Sequence, residues 1–485
     1  MLFGLVVKRL QEVKLDSPLL NCENHYPALI VGGGIVGAGI FRDLSIHGIP
    51  TLLIEKKDFS SQTSQSSSKM LHGGIRYLEN LDFALVWEAL HEKNLWLKLA
   101  PHLCKEKAFY MPVYKDALRP LWMVRCGLML YDFLSSYQNS PHKVLGKDET
   151  IRSLNHLRSE GLTGSGIYYD AIVDDAKLTL EVIYDGLVEK HSQALNHVSL
   201  ESVEIHGELY KCHLKDSLTG DMRVVTTDNL IFATGPFTDQ LMKKLNLVKW
   251  HDKLLPSKGS HLWVSKESLD IKHPVVLTPK DGRVIFVIPQ NDKVLVGTTE
   301  VQPEKDFFDI DASHLEIDYL IHNLNEFFPS AKITKDSILS TFAGIRPLVK
   351  DESGDKGKTA REHKLYQPRS NMYLMLGGKY TTFRVMASDV AREICSKYRV
   401  SYNSNKTKSP LRQTSAILPF DRSTLTRENV MKALEFEKVR TFEDLLSRRL
   451  GVPHPGHWKH EQSFQEFFTP MQKDMSHFIS VTNNF

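Results

Sequence analysis

Three features are missing from the sequence, and each absence excludes a class of protein. The five cysteines are scattered, odd in number and without a CxxC pair, so neither a disulfide framework nor a zinc site is predicted. No uninterrupted apolar run reaches the ~18 residues of a membrane-spanning helix. The apolar N-terminus has its basic residues after it, the reverse of a secretory signal. These absences favour a reducing, cytosolic setting and a chain that does not span a membrane.

The charge and composition are those of an ordinary globular protein. The net charge is only +3, so no nucleic acid partner is expected. The chain is 41% hydrophobic and 25% charged, and its 485 residues suggest about two to four domains with real cores.

The strongest local motif lies near the N-terminus, in "ALIVGGGIVGAGI". An apolar strand over residues 28 to 31 runs into glycines in G-x-G-x-x-G order and then into a helix, and a second strand over 51 to 54 ends at Glu55. The three glycines are Gly32, Gly34 and Gly37. They suit a tight turn, close approach of pyrophosphate and helix–strand packing, while Glu55 suits ribose hydroxyls and repels a 2′-phosphate. A dinucleotide, FAD or NAD rather than NADP, is predicted.

The segments that follow favour FAD. Directly after the second strand, "SQTSQSSSKMLHGG" offers hydroxyls suited to a ribityl chain and a second phosphate. Two later strand-to-glycine segments, "NLIFATGPF" and "YLMLGGKYTTF", suggest further returns to one nucleotide fold across long insertions. The candidate cofactor contacts in these segments are Thr63, Ser64, Ser68, His72, Gly73, Gly235, Gly378, Lys379, Thr381 and Thr382.

With these motifs in place, the sequence resembles a known family. "GGGIVGAGIFRDLSIHG", "SSKMLHGGIRYLE", "YYDAIVDDAKLTLE", "AGIRPLV" and "GGKYTTFRVMA" occur in the order expected of FAD-dependent glycerol-3-phosphate dehydrogenases of the quinone-linked, aerobic type. The resemblance covers roughly residues 26 to 450. It implies oxidation of sn-glycerol 3-phosphate to dihydroxyacetone phosphate and transfer of electrons to a membrane quinone. It also implies a peripheral enzyme on the inner face of the cytoplasmic membrane; oligomeric state stays open, a homodimer included.

The resemblance also implies an architecture. We expect an α/β fold in which a Rossmann-like FAD-binding domain, of the glutathione-reductase and D-amino-acid-oxidase kind, is interleaved with an α+β substrate domain and followed by a C-terminal helical domain. An N-terminal arm would occupy residues 1–25 and the interleaved domains 26–400, with the substrate part at approximately 100–165 and 245–340. A linker and the helical domain would occupy 401–485.

Candidate substrate contacts agree with a phosphate ester. Arg76 in "HGGIR", Arg346 in "AGIRP" and Lys379 in "GGK" supply cations beside glycines, which let a ligand approach the backbone closely. Tyr77 is expected beside them. His261 in "KGSH", with an expected pKa near neutrality, is the candidate base for the C2 hydroxyl proton, and His72 is the alternative. The alternative interpretation of "SSKMLHGGIRYLE" is the start of a helix, with Arg76 paired to Glu79 on the surface.

Other functions stay open at this stage. A glycerol-3-phosphate oxidase would use the same fold and pass electrons to oxygen, and an enzyme for amino or 2-hydroxy acids would also hold its anion with arginine. A flavin-binding scaffold without turnover is the non-enzymatic alternative. Lys177 and Phe383 stand where the family would place arginine and tyrosine, which puts hydrogen bonds at those points in doubt.

Two apolar segments and one histidine cluster have competing interpretations. Residues 2 to 15 suit an interfacial helix, an arm packed on the body or a loose terminus. Residues 119 to 134 are apolar nearly all round, so we expect a helix buried in the core, with an interfacial position as the alternative. The histidines of "HPGHWKH", at 454, 457 and 460, lack a specified acidic or cysteine partner, so no metal is predicted.

Overall fold

Alternating strands and helices build the part of the chain that the structure, a computed structural model, describes: residues 17–303, 307–308, 310–350, 359–360, 363–441 and 443–451. The α-helices in these ranges are α1 Ile35–Ile46, α2 Phe83–Leu99, α3 Leu121–Leu134, α4 Lys147–Ser153, α5 Asp175–Leu187, α6 Thr238–Leu245, α7 His314–Phe327, α8 Phe383–Lys397 and α9 Arg427–Phe436.

The strands of the same ranges form two sheets. They are β1 His25–Val31, β2 Thr51–Ile54, β3 Met70–Leu71, β4 Cys104–Tyr114, β5 Lys143–Gly146, β6 Leu162–Val173, β7 Gln193–Leu195, β8 Val198–His206, β9 Leu209–Asp216, β10 Met222–Phe232, β11 Leu254–Ser265, β12 Val275–Leu277, β13 Ile285–Gln290, β14 Lys293–Gly297, β15 Ile338–Lys350, β16 Thr359–Ala360, β17 His363–Arg369 and β18 Met372–Gly377.

The first sheet is the nucleotide fold. Its order is β17-β18-β10-β1-β2-β7, with β18, β10, β1, β2 and β7 parallel, and β8 and β9 attached through β10. The central strands are continuous apolar runs buried on both faces, as parallel strands require. The predicted returns of the chain to one sheet are therefore β10, which lies next to β1, and β18, which lies next to β10, although some 200 and 340 residues separate them from β1 along the sequence.

The second sheet carries the insertions and has the order β16-β15-β11-β14-β13-β12-β4-β6-β3, with β5 on β6. Alternate residues of its strands face opposite layers. Phe109 and Tyr168 pack toward α3, while Tyr110 and Ile167 pack toward α7. The long antiparallel pair β11 and β15 sets His261 opposite Phe342.

The C-terminal segment is tied to the nucleotide fold by buried charges. Arg448 and Arg449 both pair with Asp58, which follows β2, and His197 Nε2 lies 3.0 Å from an oxygen of Asp444. Removing one partner from such a buried pair costs about 3–5 kcal/mol, because the other charge is left without compensation. These contacts add to the burial of Leu445, Leu446 and Leu450 in holding the segment in place.

Part of the predicted linker is packed rather than loose. The buried Arg42 of α1 donates to the Thr407 and Ser409 carbonyls at 2.9 and 3.1 Å, and the rings of His47 and Tyr402 stack at 4.6 Å. Polar composition predicted a linker here. It does not reveal the packing, because the donor to these carbonyls comes from a distant helix. In the helical domain expected after it, α9 ends at Phe436 and a π-helix spans Asp444–Arg449.

The expectation of a fully buried helix at 119 to 134 is wrong. Helix α3 is apolar on both sides: its inner side packs on β6, and its outer side exposes large apolar residues because nothing in the described chain covers it. The buried members are Val124, Leu128 and Tyr131, and the exposed ones are Trp122, Met123, Met129 and Phe133. Leu81, Phe83 and Trp87, at the start of the neighbouring α2, are exposed as well.

Among the described helices, none is both long and apolar enough to cross a membrane. The two terminal features of the sequence, residues 2 to 15 and the histidines at 454, 457 and 460, lie outside the described residues.

Candidate active site

A cavity of about 1130 Å³ runs between the two sheets. This volume exceeds the ~300–1,000 Å³ of most small-molecule pockets, so there is space for a dinucleotide and a second ligand. Most of the predicted site residues line it: Gly32, Gly34, Glu55, Thr63, Ser64, Ser68, His72, Arg76, Tyr77, Gly235, His261, Arg346, Gly378, Lys379 and Thr381. Gly37, Gly73 and Thr382 lie behind its wall.

The turn after β1 requires glycine, because any side chain there would collide with neighbouring backbone. Gly32 has a φ of 111°, and a Cβ there would lie 2.5 Å from the Ala233 carbonyl oxygen. At Gly37 a Cβ would lie 1.8 Å from the Gly32 carbonyl oxygen, so this glycine lets α1 pack on the turn. Helix α1 begins with Gly34 at its N-cap and points its N-terminus into the cavity, where backbone N–H groups and the helix dipole favour a phosphate.

Glu55 closes the ribose end of the turn. Its Oε2 accepts from the Gly33 N–H at 2.7 Å and its Oε1 from the Lys57 N–H at 2.9 Å. Burial raises the pKa of this carboxyl, and the two backbone donors oppose that shift. Each oxygen keeps acceptor capacity toward the cavity, so the group can hold sugar hydroxyls.

The hydroxyl-rich loop is partly used for structure. Ser64 Oγ accepts from the Ile35 N–H at 2.9 Å at the start of α1, and Thr63 Oγ1 donates to the Ile345 carbonyl at 2.9 Å. Ser68 Oγ lies 2.9 Å from His261 Nε2. The loop therefore links the dinucleotide turn to β11 and β15. The sequence does not show these contacts, because their partners lie far away along the chain.

The segment from His72 to Gly74 crosses the cavity wall. The His72 N–H donates to Thr381 Oγ1 at 3.3 Å, and burial, with Lys379 nearby, lowers the pKa of the imidazole to about 4. Gly73 is packed so closely that a Cβ would meet Leu90 at 2.4 Å. The sequence from Ile75 to Asn80 then forms a short 3-10 helix, and Glu79 pairs with Arg119 at 2.5 Å rather than with Arg76.

Of the cations that line the cavity, the predicted substrate contacts Arg76, Arg346 and Lys379 come from different elements. Arg346 of β15 donates through Nη2 to Thr298 Oγ1 at 3.0 Å and to the Thr299 carbonyl at 3.4 Å. Lys379 places its Nζ 3.6 Å from the centre of the Tyr77 ring. It follows Gly377 and Gly378, whose φ values of 70° and 87° favour glycine and turn the chain toward α8.

His261 of β11 lines the same cavity, with Arg346 nearby. It is 2% exposed, stacks on Phe342 with ring centroids 4.8 Å apart, and has no hydrogen-bond partner at Nδ1 among the described residues. Burial, with Arg346 and Lys69 nearby, lowers its pKa to about 3. The near-neutral pKa expected from the sequence is therefore wrong, because burial and the surrounding cations disfavour the imidazolium.

Two glycines that the sequence analysis missed shape the surroundings of these groups. At Gly259 a Cβ would lie 2.6 Å from Arg346 Nη2, and at Gly297 one would lie 2.2 Å from His261 Cδ2. The signal was present in "SKGSH" and "VGTTE", but only the pairing of β11 with β14 and β15 shows which side chains need the space.

The two substitutions that were in doubt are accommodated. Lys177 Nζ donates to the Ile417 carbonyl at 2.5 Å and to the Arg449 carbonyl at 2.7 Å, so its single buried charge is satisfied. Phe383 stacks on Trp96 at 4.9 Å, and the adjacent Tyr380 hydroxyl donates to the Asp175 carbonyl at 2.5 Å.

The second sheet contributes an apolar arm to the cavity. We use "apolar arm" for the part lined by Met111, Met123, Val124, Cys126, Gly127, Leu130, Tyr168, Val276 and Phe286. Met123 and Cys126 also belong to the exposed side of α3, so the arm ends under that helix. Asp170 is the buried carboxyl of this region.

Comparison with known proteins agrees with the geometry. The model of the FAD dependent oxidoreductase family (DAO) matches residues 28–387. The aerobic glycerol-3-phosphate dehydrogenase of Staphylococcus haemolyticus is 31% identical over 397 residues, which is 80% of this chain and 71% of the relative.

Solved structures share the fold. The glycerol-3-phosphate dehydrogenase from Bacillus halodurans, complexed with FAD, has a TM-score of 0.71 at 24% identity and covers 97% of this chain and 92% of its own. The L-alpha-glycerophosphate oxidase from Mycoplasma pneumoniae, with FAD bound, has a TM-score of 0.61 at 16% identity and covers 80% and 98%. They confirm the predicted fold class. The chain belongs to the FAD dependent oxidoreductases, within the family of the aerobic glycerol-3-phosphate dehydrogenases, and its cofactor is FAD.

Proposed function

We propose that this enzyme oxidises sn-glycerol 3-phosphate to dihydroxyacetone phosphate. The observation that carries the proposal is that Arg76, Arg346 and Lys379 line the same cavity as the dinucleotide turn and His261. A phosphate monoester carries about −1.5 to −2 charges at neutral pH and is bound most strongly by charge-assisted hydrogen bonds from such groups. FAD, when bound, accepts the hydride that leaves C2.

In this proposal His261 takes the proton of the C2 hydroxyl. The imidazole is neutral in the free enzyme, so it is able to accept a proton, and its Nδ1 is the buried acceptor available for this. A phosphate entering beside Arg346 brings negative charge that offsets the cations, which raises the pKa of His261 in the complex. His72 is the second candidate, with its own pKa lowered to about 4.

Arg76 and Arg346 are proposed to hold the phosphate, and Lys379 to stabilise the negative charge that develops at the reacting centre. Arg346 is already oriented by two oxygens, at 3.0 and 3.4 Å, so little reorganisation is needed when the ligand arrives. Arg76 is exposed and lines the same cavity, so it is able to close on the phosphate from solvent.

The apolar arm supports a quinone as the electron acceptor. Its lining is made of methionine, aliphatic and aromatic side chains, which suit a flat and largely apolar head group. The arm leaves the cavity beneath α3, where Trp122 is 66% and Phe133 is 62% exposed. An acceptor dissolved in lipid would reach the cofactor from that side.

The exposed faces of α2 and α3 are proposed to rest on the inner leaflet of the cytoplasmic membrane. Tryptophan and phenylalanine insert into the interface, and Arg125, which is exposed on α3, attracts anionic lipid by about 1 kcal/mol. Continuity with the apolar arm favours a membrane over a protein partner. A homodimer, which the sequence left open, stays a prediction for sedimentation analysis.

Vesicle flotation tests the membrane surface. Wild-type protein is expected to keep a salt-resistant fraction on phosphatidylglycerol vesicles, and the Trp122→Ser, Phe133→Ser double variant should lose it. Leu315→Ser is the matched control, because Leu315 is 83% exposed on α7, away from this surface. Equal flotation of all three proteins would contradict the assignment.

The electron acceptor separates the dehydrogenase from the alternatives. Turnover of glycerol 3-phosphate should reduce a short-chain ubiquinone, with little hydrogen peroxide formed when the quinone is omitted. Peroxide in equal amount to product, without quinone, would identify an oxidase. Inhibition by carboxylates but not by other phosphate esters would favour an amino or 2-hydroxy acid substrate, and flavin that no substrate reduces would favour a scaffold.

A further inference from the structure

Asp170 of β6 is a carboxyl that the mechanism above does not use. It is 1% exposed, yet it lines the cavity beside the apolar arm. The Tyr131 hydroxyl lies 2.9 Å from both carboxylate oxygens, and the Gly73 N–H donates to Oδ1 at 3.3 Å. The same N–H donates to the Tyr131 oxygen at 3.0 Å, so the three groups form one closed cluster.

Reduction of a quinone in the apolar arm needs a proton source. Reduction to the quinol consumes two electrons and two protons, and only one proton accompanies a hydride. Water is a poor donor in a chamber with apolar walls, so a protein acid within reach is favoured. This requirement rests on the proposed quinone acceptor.

We propose that Asp170 donates the second proton when the quinone is reduced. The quinone receives two electrons and one proton from the reduced cofactor, which returns to its oxidised form. The Asp170 O–H bond breaks and a quinol O–H bond forms, and the carboxylate is then reprotonated from solvent. The reacting oxygen of the quinone would lie in the apolar arm, on the Asp170 side of the cavity.

The surroundings suit both states of the carboxyl. Burial raises the pKa of Asp170 to about 7, while the nearby Lys93 ammonium and the bonds from Tyr131 and Gly73 oppose the shift. Protonated and ionised forms are thus both accessible near neutral pH. Lys93 is itself fully buried and donates to Asn139 Oδ1 at 2.8 Å. Burial lowers the pKa of Lys93 and the Asp170 carboxylate opposes that shift, so the ammonium and the carboxylate left after donation stabilise each other.

Neighbouring groups do not replace Asp170 in this role. His72 is held neutral, with a pKa of about 4. His261 keeps the C2 proton only while the substrate phosphate is bound and loses it to solvent once the product leaves, because the pKa of the free imidazole is about 3. Burial raises the pKa of Tyr131 well above its usual value, so the phenol stays protonated and acts as a hydrogen-bond donor. The charged or titratable groups facing Asp170 from the packed elements are Lys93, Glu106, Lys107, Tyr131, Tyr168 and His72.

The test separates the two half-reactions of the FAD-loaded enzyme. In Asp170→Asn the amide oxygen still accepts from Tyr131 and Gly73, so FAD content and anaerobic flavin reduction by glycerol 3-phosphate should match wild type. Reoxidation by ubiquinone-1 should fall by about 100-fold or more. Reoxidation by ferricyanide, which takes electrons without protons, should be unchanged.

Tyr131→Phe is the second variant. It keeps the carboxyl but removes a hydrogen bond that lowers the pKa of Asp170, so the pH at which the quinone step falls should move upward from about 7. Infrared difference spectra give a readout independent of turnover: a protonated carboxyl band should titrate near neutral pH in wild type, shift upward in Tyr131→Phe and be absent in Asp170→Asn.

Three results would overturn the proposal. Unchanged reoxidation of Asp170→Asn by ubiquinone-1 would remove Asp170 as the donor. Equal loss of both half-reactions, with loss of FAD, would show that Asp170 only anchors the Gly73 turn. Failure of the wild-type enzyme to reduce ubiquinone-1 would refute the acceptor and this proposal with it, and it is recognisable because it does not depend on any variant.

Discussion

Gly259→Ala is the substitution that most sharply tests the arrangement around Arg346. A Cβ at this position would lie 2.5 Å from Thr298 Oγ1 and 2.6 Å from Arg346 Nη2. Both atoms are ends of side chains, so the fold tolerates the change, but the guanidinium must retreat by about 1 Å to reach normal contact distance. Loss of one hydrogen bond to the charged phosphate costs about 1.5–3 kcal/mol, which is roughly a 10- to 150-fold fall in kcat/KM.

The assay is steady-state oxidation of glycerol 3-phosphate with an artificial acceptor, together with the flavin absorbance of the purified protein. We expect full FAD content, an unchanged melting temperature and the stated fall in kcat/KM. Gly146→Ala is the matched control, because a Cβ there would meet nothing within 4 Å and Gly146 is outside the cavity. A kcat/KM for Gly259→Ala equal to that of the control would refute the role of Arg346.

The remaining predictions concern the cofactor, the base and the phosphate. Gly34→Val should yield colourless protein, because its side chain would occupy the phosphate position at the start of α1 and would press on Ser64 Oγ, 3.0 Å from a Cβ; full flavin occupancy would contradict this. Since the pKa of His261 is lowered to about 3, the neutral, active form of the imidazole persists down to about pH 4. The kcat/KM, corrected for phosphate ionisation, should therefore be level from about pH 5 to 8. A fall in kcat/KM below about pH 6.5 in wild type that is absent in His261→Gln would count against this low pKa. Arg76→Lys should raise the KM for glycerol 3-phosphate several-fold with intact flavin, because lysine keeps the charge but loses the bidentate geometry, and an unchanged KM would exclude Arg76 from the site.

Much of the nucleotide fold follows from local sequence. The turn at Gly32 and Gly34 needs glycine for reasons internal to one strand, one turn and one helix, and Glu55 lies within the same short unit. Such short-range geometry is readable without knowledge of the rest of the chain. The strand that ends at Ile54 accordingly has the predicted bounds.

The surroundings of the reacting groups depend on long-range pairing and could not be derived in this way. His261 stacks on Phe342 and Ser68 reaches it from a distance of 193 residues, because β11 pairs with β15 and the hydroxyl loop packs against both. The lowered pKa of His261 is a consequence of that burial. Sequence alone supplied the residue but not its environment.

The outer surface was the other weak point of sequence interpretation. Helix α3 is apolar on most sides, and hydrophobicity does not distinguish contact with the core from exposure to a lipid surface. Composition also does not show how the stretch at 401 to 410 packs, because the carbonyls of Thr407 and Ser409 accept from Arg42 of a distant helix.

Anaerobic reduction of the bound flavin tests the central claim most directly. Glycerol 3-phosphate should bleach the flavin absorbance of the purified enzyme, whereas glycerol, which lacks the phosphate, and lactate, which carries a carboxylate, should leave it unchanged at the same concentration. Bleaching by lactate with no response to glycerol 3-phosphate would contradict the account, because Arg76, Arg346 and Lys379 would then serve a carboxylate rather than a phosphate.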